Sequence, residues 1–178
     1  MRNAMVALIG VGVLLTAGCG TDDSAQDSTI TAGPEAAPTV YRVGQDVESG
    51  GLVVNVRAVR SEGSVPVRDG DLAAPEGQKY VVLDAEVTNG AEAGLDLSCG
   101  TVVGHRLVDT QKRRFDVIPG LDAVPGNRAC ADLVPSGAAG QITWVFEVPA
   151  DSTPAAFGFY DTAGQQPTDA KVVDLTAG

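Results

Sequence analysis

Histidine and aromatic side chains are nearly missing from this chain. One residue in 178 is His, one is Trp, and Phe, Tyr and Trp together make 4%. A zinc centre draws on several His, Cys or carboxylate ligands in register, and a lone His105 cannot supply an imidazole set. A Ser-His-Asp hydrolase would need this one histidine beside its nucleophile, and no glycine-flanked serine elbow occurs. Period-two alternation puts His105 on one face with Val103 and Leu107, as a structural histidine. Scarce rings also disfavour a carbohydrate-binding face, and Trp144 is expected in the core. Basic residues are few as well: 12 against 23 acids, for a net charge of −11. That excludes nucleic acid as a partner and argues against peripheral binding to anionic lipid heads. No apolar run reaches the roughly 20 residues that span a bilayer, and residues 39–178 show no convincing helical period.

What is present begins with residues 1–18. Arg2 precedes an apolar run of 14 residues, 4–17, interrupted by Gly10 and Gly12. This fits the apolar region of a signal peptide. The run ends in Leu15, Thr16, Ala17, Gly18 and Cys19, and small residues directly before a cysteine resemble the lipobox of bacterial lipoproteins. Thr16 stands where that family more often has an aliphatic residue. The resemblance implies cleavage between Gly18 and Cys19 and a diacylglyceryl group on the Cys19 thiol. Each buried methylene contributes about 0.8 kcal/mol, so two acyl chains anchor where one would be marginal. The expected location is the outer face of the bacterial cytoplasmic membrane, with the lipid as the membrane contact.

Residues 19–38 form the second unit, the lipidated cysteine and an acidic linker. Its carboxylates Asp22, Asp23, Asp27 and Glu35 face no base, and Ile30 is its only large apolar residue. Such a composition cannot offset its ordering entropy, so disorder is expected. As a flexible chain, its 19 residues after Cys19 would span roughly 25 Å.

Residues 39–178 are the third unit, 140 residues long, enough to bury one core. Three segments alternate strictly: 52–58, with Leu52, Val54, Val56 and Ala58 on one face; 80–87, with Val81, Leu83, Ala85 and Val87; and 142–148, with Ile142, Trp144, Phe146 and Val148. Weaker strand candidates are 40–47, 94–98, 102–109, 112–118, 155–161 and 170–175. Half-apolar alternation punctuated by Gly and Pro predicts an all-β, antiparallel sandwich.

The segments 51–56 (Gly-Leu-Val-Val-Asn-Val), 77–90 (Gly-Gln-Lys-Tyr-Val-Val-Leu-Asp-Ala-Glu-Val-Thr-Asn-Gly) and 133–149 follow in an order that resembles a family. It is the uncharacterised immunoglobulin-like (telokin-like) domain of Gram-positive and actinobacterial lipoproteins. The fold of that family is similar to that of a secreted mycobacterial immunogenic antigen. The resemblance covers roughly 43–150 and implies an immunoglobulin-like sandwich with no assigned catalytic residues. The chain departs from the pattern in the 110–113 turn, which lacks a glycine.

With Cys19 lipidated, Cys99 and Cys130 remain, and an even pair in an exported domain reads as a disulfide. If nine strands each reverse direction, connections 61–77, 99–101, 119–139 and 162–169 share one end of the sandwich. Closing the loop between the cysteines would stabilise by roughly 3–4 kcal/mol on the chain-entropy model. Loops 61–77 and 119–139 are the candidate interaction surface, through Glu62, Arg68, Asp69, Asp71, Asp122, Arg128 and Asp132, with a cationic partner region expected. Asp69-Gly70-Asp71 does not complete a calcium loop, and Lys112-Arg113-Arg114 reads as a solvated hairpin tip paired with Asp109 and Asp116. No metal or cofactor is expected. The leading function is a non-catalytic, membrane-anchored extracellular module that binds an envelope protein or small ligand. A structural envelope lipoprotein or spacer is the alternative, and a hydrolase the remote one.

Overall fold

A computed structural model describes residues 39–100, 103–162 and 170–176. Two sheets stack face to face. One holds β2 (Asp46–Ser49), β3 (Leu52–Glu62), β6 (Gln78–Asn89) and β9 (Ala139–Pro149), in that order. The other runs β1 (Val40–Arg42), β11 (Lys171–Asp174), β10 (Pro154–Asp161), β7 (Val103–Asp109) and β8 (Arg114–Phe115). Among the described residues there is no α-helix; the single helical turn is the 3-10 segment Leu121–Ala123. The chain is an all-β, immunoglobulin-like sandwich.

The inner faces follow the alternation. Val81, Leu83, Ala85 and Val87 of β6 are buried, as are Ile142, Trp144, Phe146 and Val148 of β9. Val81 pairs with Phe146 and Leu83 with Trp144. From the opposite sheet Phe157 meets Trp144 at 4.9 Å between ring centroids, and Phe159 stacks on Phe157 at 5.9 Å. The few aromatic residues are thus concentrated where the two sheets touch.

Several expectations change. Candidate strand 40–47 is two strands. The chain breaks at Gly44, with φ of 85°, and crosses from one sheet to the other. β1 therefore lands beside β11 and pairs with it in parallel, Val40 opposite Val172, the one exception to antiparallel pairing among the named strands. A β-bulge lies between Val56 and Ala58. The extra residue shifts the alternation, so Ala58 turns outward and is exposed. Segment 94–98 is no strand; its only sheet-like pairing is Leu95 with Val134. Segment 112–118 pairs as a strand only over β8, and in the glycine-less turn before it Lys112 takes the left-handed φ of 65°.

The connection 61–77 holds a hairpin of its own, β4 (Ser64–Val67) and β5 (Gly70–Ala73). It accounts for a burial pattern that alternation alone would not produce. Tyr80, Val82 and Val145 lie on the outer face of the four-stranded sheet and are nonetheless buried. β4 packs against β6 and the 3-10 turn against β9. They bring buried Val65, Leu121 and Val124, which form a second apolar layer over that face.

The parity of the connections is also corrected. Leu52 pairs with Asn89 and Glu62 with Tyr80, while Gln78 pairs with Pro149 and Thr88 with Ala139. Connection 61–77 therefore leaves from the end where β9 finishes, and 119–139 delivers the chain to the opposite end. The count failed because 94–98 does not traverse the sheet, so 90–102 is a single connection and every later strand is inverted.

Trp144 is 1% exposed, and its removal leaves a cavity at the sheet-to-sheet contact. Trp144→Ala should destabilise the domain by about 3–5 kcal/mol, read as a lowered midpoint in urea unfolding followed by far-UV circular dichroism.

Candidate functional site

Gly18 and Cys19, the expected cleavage and lipidation site, lie outside the described residues. So do the linker and most of connection 162–169. Among the described residues no helix is long and apolar enough to cross a membrane.

Cys99 and Cys130 form a disulfide, with Cα atoms 5.3 Å apart and both residues exposed. The two loops are also joined by Asp96. Its Oδ1 accepts N–H groups from Ser98 and Cys99 at 3.1 and 3.0 Å, and its Oδ2 accepts the Ala131 N–H at 3.0 Å. Burial works against the charge on Asp96, but the donors from Ala131, Cys99, Ser98 and Gly100 outweigh it and hold the carboxyl below its usual range. Asp122, in the 3-10 turn, reaches the same place. The Cys99 and Cys130 sulfurs and an Asp122 carboxylate oxygen all lie within 4.8 Å of one another.

The structure joins the two expected loops at Arg68 and Asp122 and brings Asp122 to the disulfide, while the other expected interaction residues pair locally or are exposed. Glu62 accepts from Arg60 Nε at 2.6 Å. Arg68 is spent on the backbone: its Nη2 donates to the Asp122 carbonyl at 3.0 Å and its N–H to the Ala123 carbonyl at 2.8 Å. This ties the β4–β5 hairpin to the 3-10 turn along the edge of β9. Asp69 and Asp71 are exposed in the β4–β5 hairpin. Arg128 pairs with Asp132 at 3.0 Å, beside the disulfide. Of the basic tip, Arg113 is likewise engaged. Arg113 bonds buried Asp109 at 2.6 Å and Asp151 at 3.2 Å, whereas Asp116 pairs with Arg106 at 2.9 Å. Ser152 Oγ also donates to Asp109, at 2.8 Å. Burial works to raise the Asp109 carboxyl, yet the bonds from Arg113 and Ser152 prevail and hold it low.

The cleft that alternation did not reveal lies on the other sheet. β8 pairs with β7 only at Leu107 and Val108. The chain then leaves to the other sheet, where Val117 bridges Phe146. Among the described residues no strand covers the Val103–Arg106 half of β7 on that side. The N–H and C=O of Asp109 both serve the 110–113 turn, so by alternation those of His105 point to the same open side. A cleft of about 740 Å³ wraps this edge, lined by Val103, Gly104, His105, Arg106, Arg114, Val117, Gly158 and Tyr160. Its floor is low because two residues lack side chains. At Gly104 a Cβ would fall inside the Tyr160 ring, so the ring lies flat across the backbone.

His105 stands at the rim of the core. It stacks on Trp144 at 5.5 Å, and its Nδ1 bonds the Val103 carbonyl at 2.8 Å. Nε2 is buried without a hydrogen-bond partner among the described residues. Burial pushes its pKa down, over the opposing effects of the Val103 carbonyl and Asp116, so the ring is neutral at pH 7.

The fold and cleft define a class, an immunoglobulin-like β-sandwich in which a short β8 leaves half of β7 without a strand partner among the described residues. No family model matches the chain, and no curated protein matches it. Solved structures do. An uncharacterized β-sandwich protein from Clostridium difficile is 10% identical, covering 78% of this chain and 95% of that one, at a TM-score of 0.55. The secreted protein MPT63 from Mycobacterium tuberculosis is 15% identical, over 78% of this chain and 98% of that one, at 0.53. A protein from Bacillus subtilis is 13% identical, over 75% and 98%, at 0.52. At these identities the likeness is one of fold, and it includes a secreted mycobacterial protein, in keeping with the fold that the family resemblance implies.

The Asp96 carboxylate generates a pH dependence. Its folded pKa lies below the unfolded value of about 3.9, so its contribution is present above that value and is lost as pH falls through the folded pKa. Asp96→Ala should melt lower at neutral pH and show a shallower loss of stability on acidification, checked by thermal unfolding between about pH 2 and pH 7.

Proposed function

We propose that this chain is a lipid-anchored module of the bacterial envelope that binds, without catalysis, an extended peptide segment of a partner protein. The observation that carries the reading is the Val103–Arg106 edge of β7, which no strand covers among the described residues, beside an open cleft. A free strand edge offers unpaired backbone donors and acceptors, and an added strand satisfies them. Small residues beside that edge leave space for the segment's side chains. Arg114 lines the cleft with no acidic partner among the described residues, so a carboxylate side chain on the segment is favoured there.

The non-catalytic part of the reading rests on His105, the only histidine in the chain. It is neutral, stacked in the core, and bonded through Nδ1 to its own strand. The anchoring part rests on Cys19 and the apolar run before it.

Gly158 supplies the test. A Cβ there meets nothing closer than 3.8 Å, so a larger side chain can fill the cleft without strain. Peptides selected from a random library against the full chain should shift the amide resonances of 103–106 and 158–160. Gly158→Phe should weaken them about tenfold or more, a loss of about 1.4 kcal/mol or more, while leaving the melting temperature nearly unchanged. Peptides that bind elsewhere, or bind Gly158→Phe equally well, would refute the edge as the site.

A further inference from the structure

We propose that Cys99, Cys130 and Asp122 form a redox-gated site for a thiophilic divalent cation of the zinc class, closed while the disulfide stands and opened by its reduction. The three side chains already converge, with their ligand atoms within 4.8 Å of one another. Two thiolates and a carboxylate are a zinc donor set, with a fourth tetrahedral position left for water. Disulfide sulfurs are poor ligands, because the metal binds the thiolate.

What makes the site more than an exposed disulfide is that contacts other than the S–S bond also hold its two loops together. Asp96 holds the Cys99 loop by the Ser98 and Cys99 N–H groups and the Cys130 loop by the Ala131 N–H. Leu95 and Val134 exchange backbone bonds of 3.0 and 2.8 Å just behind the cysteines. Asn89 Nδ2 donates to the Val134 carbonyl at 2.9 Å. After the S–S bond breaks, these contacts keep the two Cα atoms near their 5.3 Å separation. Zinc–sulfur bonds of about 2.3 Å place tetrahedral sulfurs about 3.8 Å apart, a distance that side-chain rotation alone can supply. Asp122 is held in turn, since its carbonyl accepts from Arg68 and its 3-10 turn is bonded through the Leu121 carbonyl to Asn127.

The chemistry balances. A dithiol donor attacks the Cys99–Cys130 bond by thiol–disulfide exchange, delivers two electrons and two protons, and leaves as its own disulfide. Cation binding then displaces the two thiol protons to water.

The test titrates Zn²⁺ alone into the full chain against a chromophoric chelator, before and after reduction with a phosphine. The reduced wild type should bind one further Zn²⁺ at least about tenfold more tightly than the oxidised chain, and than the reduced Cys99→Ser/Cys130→Ser variant, which keeps Cys19. Asp122→Asn should weaken that site about tenfold while leaving the reduced strand signal in circular dichroism intact. Equal binding by the reduced wild type and the double-serine variant would overturn the site. Unfolding of the domain on reduction would overturn it as well, because the site requires the loops to stay together without the bridge. An Asp122→Asn variant that binds as the wild type does would remove the carboxylate from it.

Discussion

The contact of Trp144 on β9 with Phe157 on β10 is the constraint on which this sandwich depends. Aromatic side chains are 4% of the chain, and the cross-sheet interface takes Trp144, Phe146, Phe157 and Phe159 together. The remaining core is mostly Val, Leu and Ala, residues that fill space between twisted sheets but bury less area each. The ring cluster sets the spacing between the sheets, and His105 closes it on one side by stacking on Trp144. Its burial there is also why the only imidazole in the protein is neutral.

Around this core the irregular connections are pinned by buried and half-buried polar side chains. Asn89 Nδ2 bonds the Ala93 and Val134 carbonyls at 2.7 and 2.9 Å. Asn127 exchanges two bonds with the Thr143 backbone, at 2.9 and 2.7 Å, and so lays loop 119–139 along the edge of β9. Asp109 fixes the 110–113 turn, and Asp96 fixes the loops that carry the cysteines. A buried carboxylate that accepts several N–H bonds offsets its desolvation cost. These side chains thereby hold backbone that no strand pairing reaches. The two sites argued above lie in regions that this pinning leaves shaped but accessible: the uncovered edge of β7, and the exposed sulfurs above Asp96.

Much of this was legible from residue order. The core-facing residues of β6 and β9 follow period-two alternation, because successive side chains of a strand point to opposite faces of the sheet. The convergence of Asp96 on its neighbours was legible in part, since an aspartate commonly bonds the N–H two residues on. Its bond to Ala131, 35 residues away, was not. The β4–β5 hairpin was missed because its short strands fold over an outer face already assigned to water. That face buries Tyr80, Val82 and Val145 only once the hairpin arrives.

Sequence alone determined the all-β class, the apolar faces of the long strands and the acidic balance of charge, and the expected export rests on it through the run before Cys19. These are properties of local pattern and composition. Tertiary structure alone decided which connections share an end, that β1 lies parallel to β11, that β8 stops short of Val103, and that Asp122 meets the two cysteines. Each depends on a bulge, a kink or a chain crossing that shifts everything after it. A single residue out of register inverts a face, and a single segment that fails to traverse inverts an end. Local pattern carries no signal for either.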